Sequence, residues 1–502
     1  MKLKDLLNGV EIIKIINNID NNIDITGIAY DSRMTEPGNI FIAIKGYASD
    51  GHRYINQAIE KGAAAILCEY MPEEINNNII YIQAENTRRG LAITSANWFG
   101  RPADDMIMIG VTGTNGKTSS AFLIKYILDA QKGNKVGLIG TNQNMIGDEI
   151  LETERTTPES YELQKLFARM RDAGCTHVVM EVSSHALYLD RVYGVKYKIG
   201  VFTNLTQDHL DFHGNMENYC DAKAILFQNC EIGVCNADDE WTEYLLKNAS
   251  CDIIYYGIKN NNINKNIKPD IWAENINLSS DFVEYTAVFD NNIKNKLNNI
   301  NNLNNINIKI GIPGGFMVYN SLDVLSTGIA LGIAPQDCAD ALKTVPHVKG
   351  RVEVVPMPGK DYRILIDYAH TPDGLENVLK SVKGFAKGRT VALFGCGGDR
   401  DKTKRPKMGK IAAEIADFVI VTTDNPRTEK PGDIIQDIMP GMKDFDTPYK
   451  IIEDRVEAIH WAMDNAKPDD IIVLCGKGHE TYQEINHVKY HMDEREIVAD
   501  YL

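Results

Sequence analysis

The chain has 502 residues, 44% of them hydrophobic and 24% charged, with a formal net charge of −16. That length exceeds what a single hydrophobic core supports and predicts about three domains of ordinary globular composition. The negative charge argues against broad contact with nucleic acid or an anionic membrane, and no apolar run is long enough to span a bilayer. The opening MKLKDLLN has no apolar signal core, so a cytoplasmic protein is expected, without stable membrane insertion. Nine scattered cysteines include no C-x-x-C pair, which points to neither a zinc site nor a disulfide framework.

Residues 1–104 alternate apolar runs at 39–44 and 63–68 with polar turns and one helical stretch at 55–61, the pattern of a small α/β domain. A second domain is expected over 105–336. It opens with a short apolar strand at 106–109 that leads into GVTGTNGKT at 110–118, and helical apolar spacing follows at Phe122, Leu123, Tyr126 and Ile127. A glycine-rich turn between strand and helix lets backbone N–H groups converge on phosphate oxygens, with Lys117 as a point charge and the Thr118 hydroxyl available to Mg²⁺. Val111 stands where the strict Walker spacing would have a glycine, so the flanking strand and helix carry much of the reading. Gly113, Thr114, Asn115, Gly116, Lys117 and Thr118 are the candidate ATP contacts.

Strand-like runs at 135–140, 177–182 and 199–204 alternate with helical patterns, which predicts a parallel sheet with crossover helices. Residues 259–310 are dense in Asn, Ile and Lys and read as a tolerated insertion without a function, though strands at the edge of the central domain are expected within 271–290. From about residue 334 the alternation restarts, with strands at 363–367, 390–394, 418–422 and 471–475. These predict a Rossmann-like third domain over 337–502.

EVSSH at 181–185 follows an apolar strand and places Glu181 at a strand's C-terminal edge, where α/β sheets bind ligands and where a carboxylate suits Mg²⁺. NLTQDHLDFHG at 204–214 and YCDAKAILF at 219–227 come next. His209 and His213, four apart, would share a helix face, but no H-E-x-x-H or ligand-spaced cysteine accompanies them. One histidine helping to hold magnesium is the preferred reading over zinc.

Taken together, GTNGKT at 113–118, EVSSH at 181–185, DHLD at 208–211 and Ala222-Lys223 resemble the Mur ligase family of ATP-dependent amide-forming enzymes, and the resemblance extends over essentially the whole chain. It implies three α/β domains: a UDP-binding N-terminal domain, a central P-loop ATPase-like domain and a C-terminal amino-acid-binding domain. It implies Lys117, Glu181, His209 and Lys223 as catalytic residues. One Mg²⁺ would be held by Thr118 and Glu181, the other by His209 and by Lys223 as a carbamate (N6-carboxylysine). Asn320 would lie near the adenine, Arg351 would face ATP, and Asp367 would meet the ribose. Ser32, Thr156, Thr157, Ser183 and Arg191 would contact the UDP-linked muramoyl dipeptide.

Within the family, DNPR at 424–427 resembles the element by which the diaminopimelate-adding members recognise their amino acid. A guanidinium such as Arg427 can clamp the distal carboxylate that lysine lacks, while Asp424 and Asn425 would meet the distal ammonium. Arg400 in the cationic run at 398–406, and Gly476 and Glu480 in GKGHE, complete that implied set. The implied substrates are ATP, UDP-N-acetylmuramoyl-L-alanyl-D-glutamate and meso-diaminopimelate, acted on by a monomer. A lysine-adding sister enzyme, a folate polyglutamylating ligase and a non-catalytic nucleotide-binding protein are the alternatives; Arg427, the N-terminal segment with Asp31 to Arg33, and the intact catalytic set weigh against them in turn.

Overall fold

The computed structural model describes the whole chain except residues 18–22, 47–48, 154, 260, 262–266, 291–292 and 294–303. Much of the Asn-rich segment therefore lies outside the described residues. Three separate α/β sheets and one small hairpin account for the described strands.

The first sheet has five strands in the order Ile12–Ile16, Ile80–Ala84, Ala65–Cys68, Ile40–Ile42, Ile28–Ala29. Only the Ile12–Ile16 pairing is antiparallel. The helix Ile55–Glu60 falls where the apolar spacing indicates, but Thr87–Trp98 is a second, longer helix that the reading of one helical stretch did not include. It is capped by Asn86, whose side chain accepts from the N–H groups of Arg88 and Arg89.

The central sheet has eleven described strands. Its parallel middle runs Ile271–Leu278, Asp252–Ile258, Cys230–Asn236, Tyr197–Phe202, Ile107–Thr112, His177–Glu181, Val136–Ile139. Antiparallel strands extend both ends: Val283–Phe289 lies next to Ile271–Leu278, both within the 271–290 stretch where edge strands are expected, and Ile306–Ile310 lies beyond it against Val283–Phe289. Side chains alternate across this sheet. Ile109 and Val111 join the core beneath helices Lys117–Asp129 and Phe316–Ala330, whereas Met108 and Met180 pack on the opposite face with Leu163, Phe167 and Met170 of helix Ser160–Asp172.

The third sheet has six described strands: Glu353–Val355, Arg363–Asp367, Ile471–Cys475, Thr390–Phe394, Phe418–Val421 and Tyr449–Ile451, all parallel but the first. Ile364 and Ile366 pack toward Ala458 and Ile459, and Leu365 toward Leu375 and Leu379, so helices cover both faces. This is the doubly wound arrangement expected of a Rossmann-like unit. Among the described residues, no helix is long and apolar enough to cross a membrane.

Candidate active site

The strand Ile107–Thr112 ends in the glycine-rich turn, and the helix Lys117–Asp129 begins immediately after it. Gly113 has φ +144°, and a Cβ there would lie 1.9 Å from Thr203 Oγ1, so only glycine lets the neighbouring loop approach this closely. That neighbour is the segment after strand Tyr197–Phe202. Asn204 O accepts from Thr114 N at 2.8 Å, Asn204 Oδ1 from Asn115 N at 2.9 Å, and Asn115 O accepts from Thr203 Oγ1 at 2.6 Å.

Two lysines converge on one carbonyl. Lys117 Nζ donates to Gly113 O at 2.9 Å and to Thr114 O at 2.8 Å, and Lys223 Nζ donates to Gly113 O at 2.8 Å. Burial lowers the pKa of Lys117 against the opposing influence of Glu181 and Asp208, and burial together with Lys117 drives that of Lys223 well down. Lys223 is 1% exposed and sits 4.4 Å over the Tyr219 ring. Two buried amines around one neutral carbonyl, with no carboxylate as a direct partner, resist carrying two positive charges together, and an anion bound beside them would relieve that cost.

Glu181 ends its strand fully buried, and every contact it makes is from a donor. Thr118 Oγ1 donates to Oε2 at 3.1 Å, Thr141 Oγ1 to Oε2 at 3.0 Å, and Thr141 N to Oε1 at 2.8 Å. Arg351 Nη2 donates to the same Thr118 hydroxyl at 3.1 Å, while its buried Nε has no hydrogen-bond partner among the described residues. The oxygen set of Thr118 and Glu181 fits a hard divalent cation. His209 is the N-cap of the short helix Leu210–His213, with φ +53°, so it lies outside the helical turn and does not share a face with His213 in the way the four-residue spacing suggests. Burial lowers its pKa, which leaves a neutral imidazole able to act as a ligand. Lys223 would qualify as an anionic oxygen donor only as a carbamate. Among the described residues no cluster of three or more His, Cys, Asp or Glu surrounds a common point.

Thr156, Thr157, Ser183 and Arg191 form a connected network behind Glu181. Thr157 Oγ1 donates to Glu181 O at 2.8 Å and accepts from Ser183 N at 3.1 Å, Thr156 Oγ1 is 3.0 Å from Thr141 Oγ1, and Arg191 Nη1 donates to Thr157 O at 3.2 Å. Ser32 stands apart, in the first domain, donating to Gln57 Oε1 at 2.7 Å.

Asn320 is buried in helix Phe316–Ala330 with Oδ1 against Gly116, where a Cβ would be 2.8 Å away, so it abuts the phosphate loop itself. Asp367 lies at the end of its strand, and its two oxygens accept from the N–H groups of Val352 and Ala369, both at 2.8 Å. Burial raises its pKa.

DNPR follows strand Phe418–Val421, and GKGHE follows Ile471–Cys475. Gly476 has φ +112°, and a Cβ there would lie 2.4 Å from Asp424 Oδ2. Asn425 Nδ2 donates to Glu480 Oε2 at 2.9 Å, and the fully buried Lys477 donates to both Asn425 Oδ1 and Glu480 Oε2 at 2.8 Å. Arg427 Nε donates to Glu484 Oε2 at 2.9 Å and Nη1 to Gly398 O at 2.9 Å. Arg400 is exposed and donates to Asp399 O at 3.2 Å.

Tyr368 connects the two clusters: Arg351 lies 5.1 Å over its ring and His479 4.9 Å from it. Asp373 reaches from the third domain to the phosphate loop, accepting from Asn115 Nδ2 and, at 2.8 Å, from Thr206 Oγ1. Thr141, Thr203, Tyr368, Asp373, Lys477 and Glu484 were not among the expected site residues. Lys477 stands inside GKGHE at 476–480, and only its neighbours in space reveal what it touches.

A phosphate loop with clustered cations at the edge of one parallel sheet, facing a Rossmann-like sheet that carries a second polar cluster, defines a nucleotide-using enzyme of two cooperating domains. The comparisons with known proteins agree. Residues 24–104 match the Mur ligase family catalytic domain, 111–328 the Mur ligase middle domain, and 350–478 the Mur ligase glutamate ligase domain. The UDP-N-acetylmuramoyl-L-alanyl-D-glutamate–2,6-diaminopimelate ligase 1 of Clostridium acetobutylicum is 44% identical over 503 residues, covering 100% of this chain and 99% of its own. A solved structure of an enzyme with that ligase name superposes with a TM-score of 0.70 at 30% identity, over 100% of this chain and 98% of the other. The fold is shared also with a MurF ligase from Thermotoga maritima solved with ADP, at 16% identity and a TM-score of 0.59 over 94% and 96% of the two chains. The chain belongs to the Mur ligase family.

Proposed function

We propose that this enzyme uses ATP to join meso-2,6-diaminopimelate to the D-glutamate γ-carboxylate of UDP-N-acetylmuramoyl-L-alanyl-D-glutamate, a step in building peptidoglycan precursors. The observation that carries the reading is Arg427, whose Nη2 has no hydrogen-bond partner among the described residues, at the end of a DNPR element packed against Glu480 and Lys477. The names of relatives at 43–45% identity support it.

A carboxylate is a poor acyl donor because oxide is a poor leaving group. The γ-carboxylate oxygen therefore attacks the γ-phosphorus of ATP, and ADP leaves. The amine of diaminopimelate then attacks the carbonyl carbon of the resulting acyl phosphate, loses a proton, and expels inorganic phosphate. Lys117 and the turn from Gly113 to Thr118 hold the phosphates, and Lys117 and Arg351 offset the charge that builds as two anions meet. Mg²⁺, held by Thr118 and Glu181 and by His209 with carbamylated Lys223, would supply further charge neutralisation. Asn320, Arg351 and Asp367 face the nucleotide in this reading, while Ser32, Thr156, Thr157, Ser183 and Arg191 hold the UDP-linked dipeptide. Asp424, Asn425, Gly476 and Glu480 orient the ammonium of the incoming amino acid, and Arg427 with Arg400 takes its carboxylate. Domain limits at 104/105 and 336/337, a monomeric state and a cytoplasmic location belong to the same proposal.

Incubating the protein with ATP, Mg²⁺ and UDP-N-acetylmuramoyl-L-alanyl-D-glutamate, with either meso-diaminopimelate or L-lysine, tests it. Phosphate release with a tripeptide product by mass, formed with diaminopimelate alone, is the expected result. Product with lysine overturns the specificity, and no product with either overturns the reaction.

A further inference from the structure

We propose that Glu484 is the positioning residue that turns Arg427 into a carboxylate clamp, an inference that rests on the ligase reading above. Glu484 belongs to a two-stranded hairpin, Tyr482–Ile485 with Val488–His491, separate from the three larger sheets. That hairpin grips DNPR residue by residue. Gln483 Nε2 donates to Asp424 O at 2.8 Å, Glu484 N to Asn425 Oδ1 at 2.9 Å, Arg427 N to Glu484 O at 3.0 Å, and Asn486 N to Arg427 O at 2.9 Å. Arg427 is held at φ +50°, a conformation that a non-glycine residue keeps only when its surroundings enforce it.

The side-chain contacts explain what this holding achieves. An arginine on a flexible stem samples many orientations, and anchoring Nε on Glu484 and Nη1 on Gly398 O fixes the guanidinium plane. Nη2 then remains for a ligand. Gly397 lies between Arg427 Nη1 and the Arg400 stem, at 3.0 and 3.7 Å from its Cβ position. Arg400 donates to Asp399 O and makes no ion pair among the described residues, so both arginines border Gly397 while only Arg427 is held in plane by a carboxylate. L-Lysine, which lacks the distal carboxylate, would leave Nη2 without an acceptor.

The test is steady-state kinetics of the full-length enzyme and of Glu484→Ala and Glu484→Gln with meso-diaminopimelate, L-lysine, ATP and the UDP-linked dipeptide. Wild-type protein must first form the tripeptide; failure at that stage refutes the ligase reading and not the role of Glu484. Glu484→Ala is expected to raise KM for diaminopimelate at least tenfold while kcat and the other two KM values change less than threefold. Glu484→Gln, which keeps an acceptor for Nε, should raise KM three- to fivefold. An unchanged KM for diaminopimelate, or parallel loss in kcat and all KM values, overturns the proposal. Where the alanine variant does not fold, Glu484→Gln decides by the same criterion.

Discussion

Gly113→Ala should damage nucleotide binding far more than it damages the fold. Two costs add. An alanine at φ +144° sits in a region reserved for glycine, at about 1–3 kcal/mol. Its Cβ would also lie 1.9 Å from Thr203 Oγ1, with Asn204 N and O each at 3.1 Å. Thr203 can escape only by giving up its bond to Asn115 O, worth about 1 kcal/mol. The sum, about 2–4 kcal/mol, falls on the loop, whose neighbours can yield without exposing the apolar core beneath helix Lys117–Asp129. If it is spent on restoring the binding conformation, affinity for ADP or a nonhydrolysable ATP analogue drops roughly 30- to 700-fold. Isothermal titration measures that loss, and melting without nucleotide reports the fold. Gly133→Ala is the control, since Gly133 also has positive φ but nothing lies within 4 Å of its Cβ position; it should leave nucleotide affinity intact. Adding Thr203→Ala to Gly113→Ala should recover part of the affinity by removing the clash. Nucleotide binding by Gly113→Ala within threefold of wild type would refute the argument.

Arg427→Ala is expected to lower kcat/KM for meso-diaminopimelate by the worth of one charged hydrogen bond, roughly 1.5–3 kcal/mol, while any weak turnover of L-lysine holds or improves; equal losses for both amino acids would remove the clamp. Glu181→Gln keeps the side-chain shape but replaces an acceptor used by Thr118 and Thr141, and should weaken the Mg²⁺ dependence of phosphate release with little change in nucleotide affinity measured without metal. Arg405 is fully buried and binds Glu429 through two contacts of 2.8 and 3.0 Å, holding that carboxyl at about 2, well below its ordinary 4.5. Because the folded-state value is depressed, the contribution is complete above about 4.5 and disappears as pH falls through about 2. Arg405→Met should therefore flatten the acid limb of the stability profile in that window, and cost roughly 3 kcal/mol at neutral pH; equal acid sensitivity in both proteins would show the pair to be idle.

The strands that the sequence displays most openly are those buried on both faces. The runs 390–394 and 471–475, and the Ile-Leu-Ile centre of 363–367, are apolar and coincide with observed strands, because a parallel strand between two helical layers has no polar side to obscure it. Cys230–Asn236 went unread since Glu231 and Gly233 interrupt its apolar pattern, while in Asp252–Ile258 the apolar run is only four residues, Ile253 to Tyr256. The Tyr482–Ile485 hairpin was harder still. Val488–His491 is exposed throughout, and the turn uses Asn486 and His487 at φ +48° and +64° where Asn-Gly would have signalled a two-residue hairpin.

The same contrast holds at the candidate site. Gly113, Lys117, Glu181 and Lys223 stand out because backbone approach to phosphate and a strand-end carboxylate need particular residue types at particular spacings. Partners chosen by proximity in space leave no such trace: Glu484 lies 57 positions from Arg427, and Asp373 lies 258 from Asn115. Asp373 also shows why those distant contacts matter. Its carboxyl, pushed upward by burial, joins the third domain to Asn115 and Thr206 beside the two lysines. Arg351 makes the second such crossing, from the third domain to the hydroxyl of Thr118. Nucleotide phosphates on Lys117 would meet one cation and one carboxyl from the opposite domain, so the position of the third sheet and the charge state of the phosphate loop are mechanically and electrostatically a single variable. In the proposed reaction an acyl phosphate formed there is shielded from water only while that sheet stays over the loop, and Asp373 and Arg351, which help to keep it there, reach directly to the loop proposed to hold the phosphates.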